Sequence, residues 1–138
     1  MGWITPKTDW KDTDYFNKED YNRIAGNLLY LKGFVKTLLN QIVYFKKMGI
    51  KSNYADFLEP SEVNNFQYNL KEVNDKTERL DIGSNTTYTK GGYTPDYTQW
   101  NRIESFTLQL HDDFVEQTTS TRLTQKLGNT DSRRGIRI

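Results

Sequence analysis

The side chains of this 138-residue chain that could do chemistry are few and scattered. Its one histidine, His111, is followed by Asp112 and Asp113. All three fall within a predicted helix, where consecutive residues point in different directions and cannot converge on one metal. Asp9, Asp12 and Asp14 resemble the start of a calcium loop, but Phe16 stands where the third ligand belongs and no glycine follows. Asp112 and Glu116 form a carboxylate pair without the apolar surroundings that shift a pKa toward acid–base work. Asn85-Thr86-Thr87 matches the glycosylation triplet, which matters only in a secreted chain. There is no cysteine, so disulfides, zinc–thiolate sites and cysteine nucleophiles are excluded. Gly-rich phosphate loops, dinucleotide motifs and zincin helices are absent as well. The reading is a protein that is not an enzyme, with no catalytic, cofactor-binding or metal-binding residues and no small-molecule ligand.

Composition points the same way. Hydrophobic residues make up 35% of the chain, and Leu, Ile, Val and Phe together number 32, enough for a thin core. Nineteen basic against 18 acidic residues leave a net charge of +1, which gives no general case for nucleic acid or an anionic membrane. No apolar run is long enough to span a bilayer, and Met-Gly-Trp-Ile-Thr-Pro lacks the form of a signal peptide. A soluble product assembled in a cytoplasm is expected.

The elements follow from spacing. Residues 1–16 read as an extended N-terminal arm, because Trp3, Ile4 and Trp10 have no helical period and Pro6 restrains its neighbours. Asn17 is a candidate N-cap, with Asp20 three residues on. Ile24, Leu28, Leu31, Val35, Leu38, Ile42 and Phe45 then form a heptad seam and predict a helix over about 18–47. Val63, Phe66, Leu70, Val73 and Leu80 predict a second helix over about 61–81, after Pro60 and Ser61. Thr86–Thr94 suits a short hairpin turning on Gly91-Gly92. Trp100, Ile103, Phe106, Leu110 and Phe114 predict a third helix over about 97–127. The fold class is therefore all-α, two long helices and one shorter, with extended N- and C-terminal arms. Residues 17–128 form the helical domain and 129–138 a basic C-terminal tail. The helices fold as an antiparallel three-helix bundle within one chain, or as an oligomeric ring or coiled coil, since both use the same a/d spacing.

A weak repeat runs through this pattern. A shift of 79 residues aligns Tyr21-Asn22-Arg23-Ile24 with Trp100-Asn101-Arg102-Ile103 and puts Asn17 on Asp96 and Asp20 on Gln99. It reads as a duplicated arm-plus-helix unit whose Asn-Arg pair does one structural job twice. In the tail, Arg133-Arg134-Gly-Ile-Arg-Ile138 alternates basic and apolar residues without an aromatic for base stacking. That favours protein contact, as a strand added to a neighbour, over nucleic acid.

Trp3-Ile-Thr-Pro-Lys-Thr-Asp-Trp10 followed by Tyr15-Phe-Asn-Lys-Glu-Asp-Tyr-Asn-Arg-Ile24 resembles the start of minor structural and tail proteins of phages that infect Gram-positive bacteria. In those proteins a Trp-x-Thr-Pro-Lys-Thr-(Asp/Asn)-Trp stretch precedes a (Tyr/Phe)-Asn-Arg-Ile helix start, often with Glu next. Ala25 departs from this, whereas the echo at Trp100-Asn-Arg-Ile-Glu104 keeps the glutamate. The resemblance covers about the first 30 residues. It implies a virion component of the tail, baseplate or neck, made in the host cytoplasm and partnered by copies of itself and other virion proteins. A cytoplasmic helical adaptor or regulatory binding module is the alternative. The candidate assembly residues are Trp3, Trp10, Tyr21, Asn22, Arg23, Trp100, Asn101, Arg102, Arg134, Ile136 and Ile138. For the arm, burial of Trp3 and Trp10 against another subunit is expected, because the apolar content is low.

Overall fold

The computed structural model describes residues 2–49, 51, 58–92 and 94–126, with side chains as far as 118. Among them are three α-helices and no strand: α1 (Lys18–Leu39), α2 (Pro60–Asp75) and α3 (Tyr97–Lys126). Each begins at a polar cap. Asn17 accepts from the Asp20 amide at 3.1 Å, and the Asp20 carboxylate accepts from the Asn17 amide at 3.0 Å. At α2 the Glu59 amide donates to Glu62 Oε1 at 2.7 Å, and Pro60 occupies the first turn, where no amide is missed. At α3, Asp96 Oδ1 accepts from the amides of Thr98 and Gln99 at 3.0 and 3.2 Å.

Two helices end earlier than the apolar spacing predicts. α1 stops at Leu39, not near 47, because Asn40 adopts the left-handed conformation with φ 53°. Beyond it Val43 is buried while Ile42 is exposed, so the last two seam positions belong to an extended segment. α2 stops at Asp75, not near 81: the Asn74 carbonyl accepts from the amides of Thr77 and Arg79, and Arg79 is left-handed with φ 56°. The expected hairpin at 86–94 is also corrected. Gly92 closes a turn on the Thr89 carbonyl at 3.0 Å, but Thr86 and Tyr88 pair with the helix side chains Gln67 and Asn64, and no strand forms among the described residues.

The three helices run in the same direction, which overturns the antiparallel arrangement. Near their starts, the rings of Tyr21 and Trp100 both pack on Phe66, with centroids 5.1 and 6.5 Å away. Further along, Tyr30 lies against His111 and Phe34 against Phe114 at 5.7 and 5.6 Å. Past the end of α2, Gln117 donates to Glu78 at 2.8 Å. Positions advance together between α1 and α3 and between α2 and α3, so α1 and α2 run the same way as well. The buried seam consists of Ile24, Leu28, Leu31 and Val35 from α1, Val63, Phe66, Leu70 and Val73 from α2, and Trp100, Ile103, Leu110 and Phe114 from α3. A parallel bundle within one chain forces the connections to travel back along it. The segments leading into each helix do so in non-helical conformation, laid over the outside of the helices.

Candidate functional site

Those return segments have no sheet to satisfy their backbone groups, so something else must. Among the described residues, seven side-chain carboxamides each grip both the amide and the carbonyl of a single residue. On α1, Asn22 holds Lys51 at 2.8 and 2.7 Å, and Asn27 holds Ile4 at 2.9 and 2.7 Å. On α2, Asn64 holds Tyr88, Gln67 holds Thr86, Asn69 holds Lys46 and Asn74 holds Leu80, all between 2.8 and 3.0 Å. On α3, Asn101 holds Trp10 at 2.8 and 3.1 Å. A carboxamide carries one acceptor oxygen beside a donor nitrogen, so it mimics the edge of a neighbouring strand. Asn27, Gln67, Asn69 and Asn74 are buried. Removing any one of them strands two backbone groups.

The densest polar cluster joins the arm to α1 and α3. Glu104, 1% exposed, accepts from the Lys7 amide at 3.0 Å and from the Trp10 indole N–H at 2.6 Å. It also takes two parallel hydrogen bonds from Arg23, Nε to Oε1 and Nη2 to Oε2, both 2.8 Å. Arg23 Nη1 reaches Asp20 at 2.9 Å. Burial opposes charge on the Arg23 guanidinium, yet Glu104 and then Asp20 outweigh it and raise its pKa above the usual arginine value. Trp10 packs beside Phe16 and Trp100, and Phe16 stacks on Trp100 at 4.3 Å. Trp3 lies flat on His111, with ring centroids 3.8 Å apart and planes 6° apart. So His111 is a landing surface for the arm, with Asp112 Oδ1 3.2 Å from its Nδ1. Among the described residues no group of three metal-ligating side chains is close enough to hold an ion.

Arg102 repeats the reach of Arg23 with different partners. Its Nε donates to Gln99 Oε1 at 3.1 Å, its Nη1 to the Ile82 carbonyl at 2.8 Å and its Nη2 to Gln67 Oε1 at 2.7 Å. Burial without a carboxylate lowers its pKa below the usual arginine value, opposed only by Tyr88. The two Asn-Arg pairs do perform one job twice: Asn22 and Asn101 each clamp a return segment, and Arg23 on α1 and Arg102 on α3 bridge to α3 and α2 respectively.

The structure adds a third copy that the 79-residue shift does not reveal. Counting five residues from the caps Asn17, Glu59 and Asp96 gives Asn22, Asn64 and Asn101. Each holds the segment that leads into the next helix of a cycle: α1 holds the lead to α2, α2 the lead to α3, and α3 the arm before α1. Eight residues from the caps stand Ala25, Gln67 and Glu104, and the last two receive the amides of Thr86 and Lys7, each ten residues before a cap. The unit is triplicated and cyclic. Its signal in the sequence was the Asn spacing shared by Asn22/Asn27 and Asn64/Asn69, hidden because the apolar positions between them change type.

Of the candidate assembly residues, Trp10, Tyr21 and Trp100 are buried in the chain's own core and Trp3 is half-buried against α1 and α3. Asn22, Arg23, Asn101 and Arg102 are engaged within the chain. The expected burial of the arm tryptophans against another subunit is thus replaced by burial within the chain: Glu104, Asn101 and Asn27 supply the partners. Arg134, Ile136 and Ile138, with the rest of the basic tail, lie outside the described residues. Among the described residues, no helix is long and apolar enough to cross a membrane. No protein-family profile, curated protein or solved structure matches the chain.

Proposed function

We propose that this chain is a structural component of a phage virion, in the tail, baseplate or neck, acting through subunit assembly and docking rather than chemistry. One observation carries the reading: the separate parts of the resemblance to phage tail proteins meet in a single cluster. Trp10 from the first stretch, Arg23 from the second and Glu104 from the echo are joined by direct hydrogen bonds. Each part satisfies a buried polar group of another, so the stretches have a physical reason to occur together. Buried polar side chains are committed to holding segments in place, which suits a part built to keep its shape within an assembly. The partners in this reading are further copies and other virion proteins.

The test is particle composition. Virions purified from a phage encoding this chain should contain it by mass spectrometry, and antibody-gold labelling should fall at the tail or neck. A chain abundant in infected-cell lysate and absent from washed particles would overturn the reading in favour of a cytoplasmic adaptor.

A further inference from the structure

We infer that the outer face of α1 is a docking groove for a second copy of this chain, and that it receives the outer ridge of α3. The inner face of α1 is spent on Ile24, Leu28, Leu31 and Val35, which turns Leu29 and Gly33 outward. Ile42, from the segment after α1, closes one side of a shallow apolar groove over them. Leu29 is 42% and Ile42 51% exposed. Gly33 sharpens the point. A Cβ built there would meet nothing within 4 Å, so the chain's own packing does not require a glycine. Glycine in a helix interior nevertheless costs roughly 1 kcal/mol relative to alanine. Bare backbone at the floor of an apolar groove lets an outside helix approach closely.

Charge selects the occupant. Lys32 and Lys36 stand along the groove. Lys36 reaches Asn40 Oδ1 at 3.3 Å and Lys32 lies over the Phe45 ring at 5.4 Å; neither forms an ion pair among the described residues. On α3, Ile103, Leu110 and Phe114 face the core, leaving Asp112, Val115 and Glu116 together on the outer side at helical spacing. Val115 is 42% exposed, and Asp112 touches only the His111 ring, at 3.2 Å, among the described residues. Val115 beside two carboxylates thus complements an apolar groove beside two ammonium groups. Groove against groove would set lysine on lysine, and ridge against ridge carboxylate on carboxylate. The contact is therefore heterologous, and successive copies add head to tail into a ring or filament instead of a twofold dimer.

This inference rests on the assembly part of the proposed function, and the two fail separately: particle composition tests the virion reading, association state tests the groove. Sedimentation velocity of the purified full chain over a concentration series at low salt should show self-association that weakens as salt screens the charges. Lys32→Glu with Lys36→Glu should weaken it at least tenfold, as should Asp112→Lys with Glu116→Lys. An equimolar mixture of these two variants should associate again, because each reversed face finds its complement on the other. Gly33→Leu, whose Cβ has open space around it in its own chain, should keep the helical circular dichroism and lose association. A wild-type chain that stays monomeric at the highest concentration overturns the inference. So does a helical Gly33→Leu that associates like wild type, or a mixture that stays monomeric while both variants remain helical.

Discussion

Arg23 and Arg102 occupy the same place in the repeated unit and solve the same problem with opposite electrostatics. Arg23 ends on the carboxylates of Glu104 and Asp20; Arg102 ends on Gln67, Gln99 and the Ile82 carbonyl, all neutral. The segment that each receiver must hold explains the difference. Glu104 faces donors only: the Lys7 amide, the Trp10 indole and two guanidinium N–H groups. A carboxylate, acceptor on both oxygens, fits that inventory. Gln67 must also donate, from Nε2 to the Thr86 carbonyl at 2.8 Å, which a carboxylate cannot do. In the third copy both partners are gone: Ala25 replaces the receiver and Asn65 the arginine, leaving a 3.5 Å contact from Asn65 to the Lys47 carbonyl. One position therefore exists in charged, neutral and vacant forms, chosen by the hydrogen-bonding needs of the segment laid over it.

The comparison breaks most severely if the arm is removed. Deleting residues 1–14 takes away Trp10 and strips Glu104 of two donors while Arg23 stays, and it uncovers Trp100 and His111. The truncated chain is expected to lose cooperative thermal unfolding by circular dichroism. A truncated chain as stable as the full one would mean that the arm packing contributes nothing to the fold. Next in size, Glu104→Ala leaves Arg23 buried beside Asp20 alone and should cost about 3–5 kcal/mol in urea unfolding, the range for breaking a buried pair. Gln67→Ala, at the equivalent place, should cost roughly 1–3 kcal/mol, since the groups it strands are neutral or half-exposed. Equal losses at the two sites would erase the distinction drawn between them.

Smaller effects sharpen it. Asn22→Ala, Asn64→Ala and Asn101→Ala each remove two hydrogen bonds to one half-buried segment, so each should cost about 1–2 kcal/mol, with the three values close together. A single outlier would show that the cycle is not energetically equivalent. At the far end of the bundle, burial and the neighbouring Asp113 carboxylate raise the pKa of Glu78. A carboxyl whose pKa is raised on folding stabilises the fold when protonated and loses that contribution as pH climbs through the raised value. Glu78→Gln, which keeps the acceptor for Gln117, should therefore gain a few tenths of a kcal/mol near pH 7, solvent screening holding it small. At pH 3, where wild-type Glu78 is protonated, the gain should vanish.

Much of this architecture was legible. The three helix starts follow from Asn17, Pro60 and Asp96, and the inner faces from apolar spacing. The Asn-Arg repeat correctly paired α1 with α3. Helix direction was not legible from the seams, because a heptad pattern reads alike in either sense. The better signal was linker length. α1 and α2 need only about 10 extended residues to be retraced, and short loops join antiparallel neighbours, whereas here α1 ends at Leu39 with α2 starting at Pro60, and α2 ends at Asp75 with α3 starting at Tyr97. The end of α1 was hidden because Ile42 and Phe45 continue the period by coincidence. The carboxamides were counted as polar composition, since nothing in one sequence distinguishes an Asn facing water from one facing a backbone.

The hydrogen bond between the Lys7 amide and Glu104 spans 97 positions of the chain. During synthesis the arm emerges before α3, so it must wait for its anchor. At about 5–20 residues per second that interval is roughly 5–20 s. Throughout it Trp10 has neither Glu104 nor Asn101 to bind, and α1 and α2 must persist as a partial bundle. Contacts of such long range also slow refolding of the finished chain, because the loop has to close before any of its partners contributes. α3, made long after the arm, is thus the helix that locks it in place.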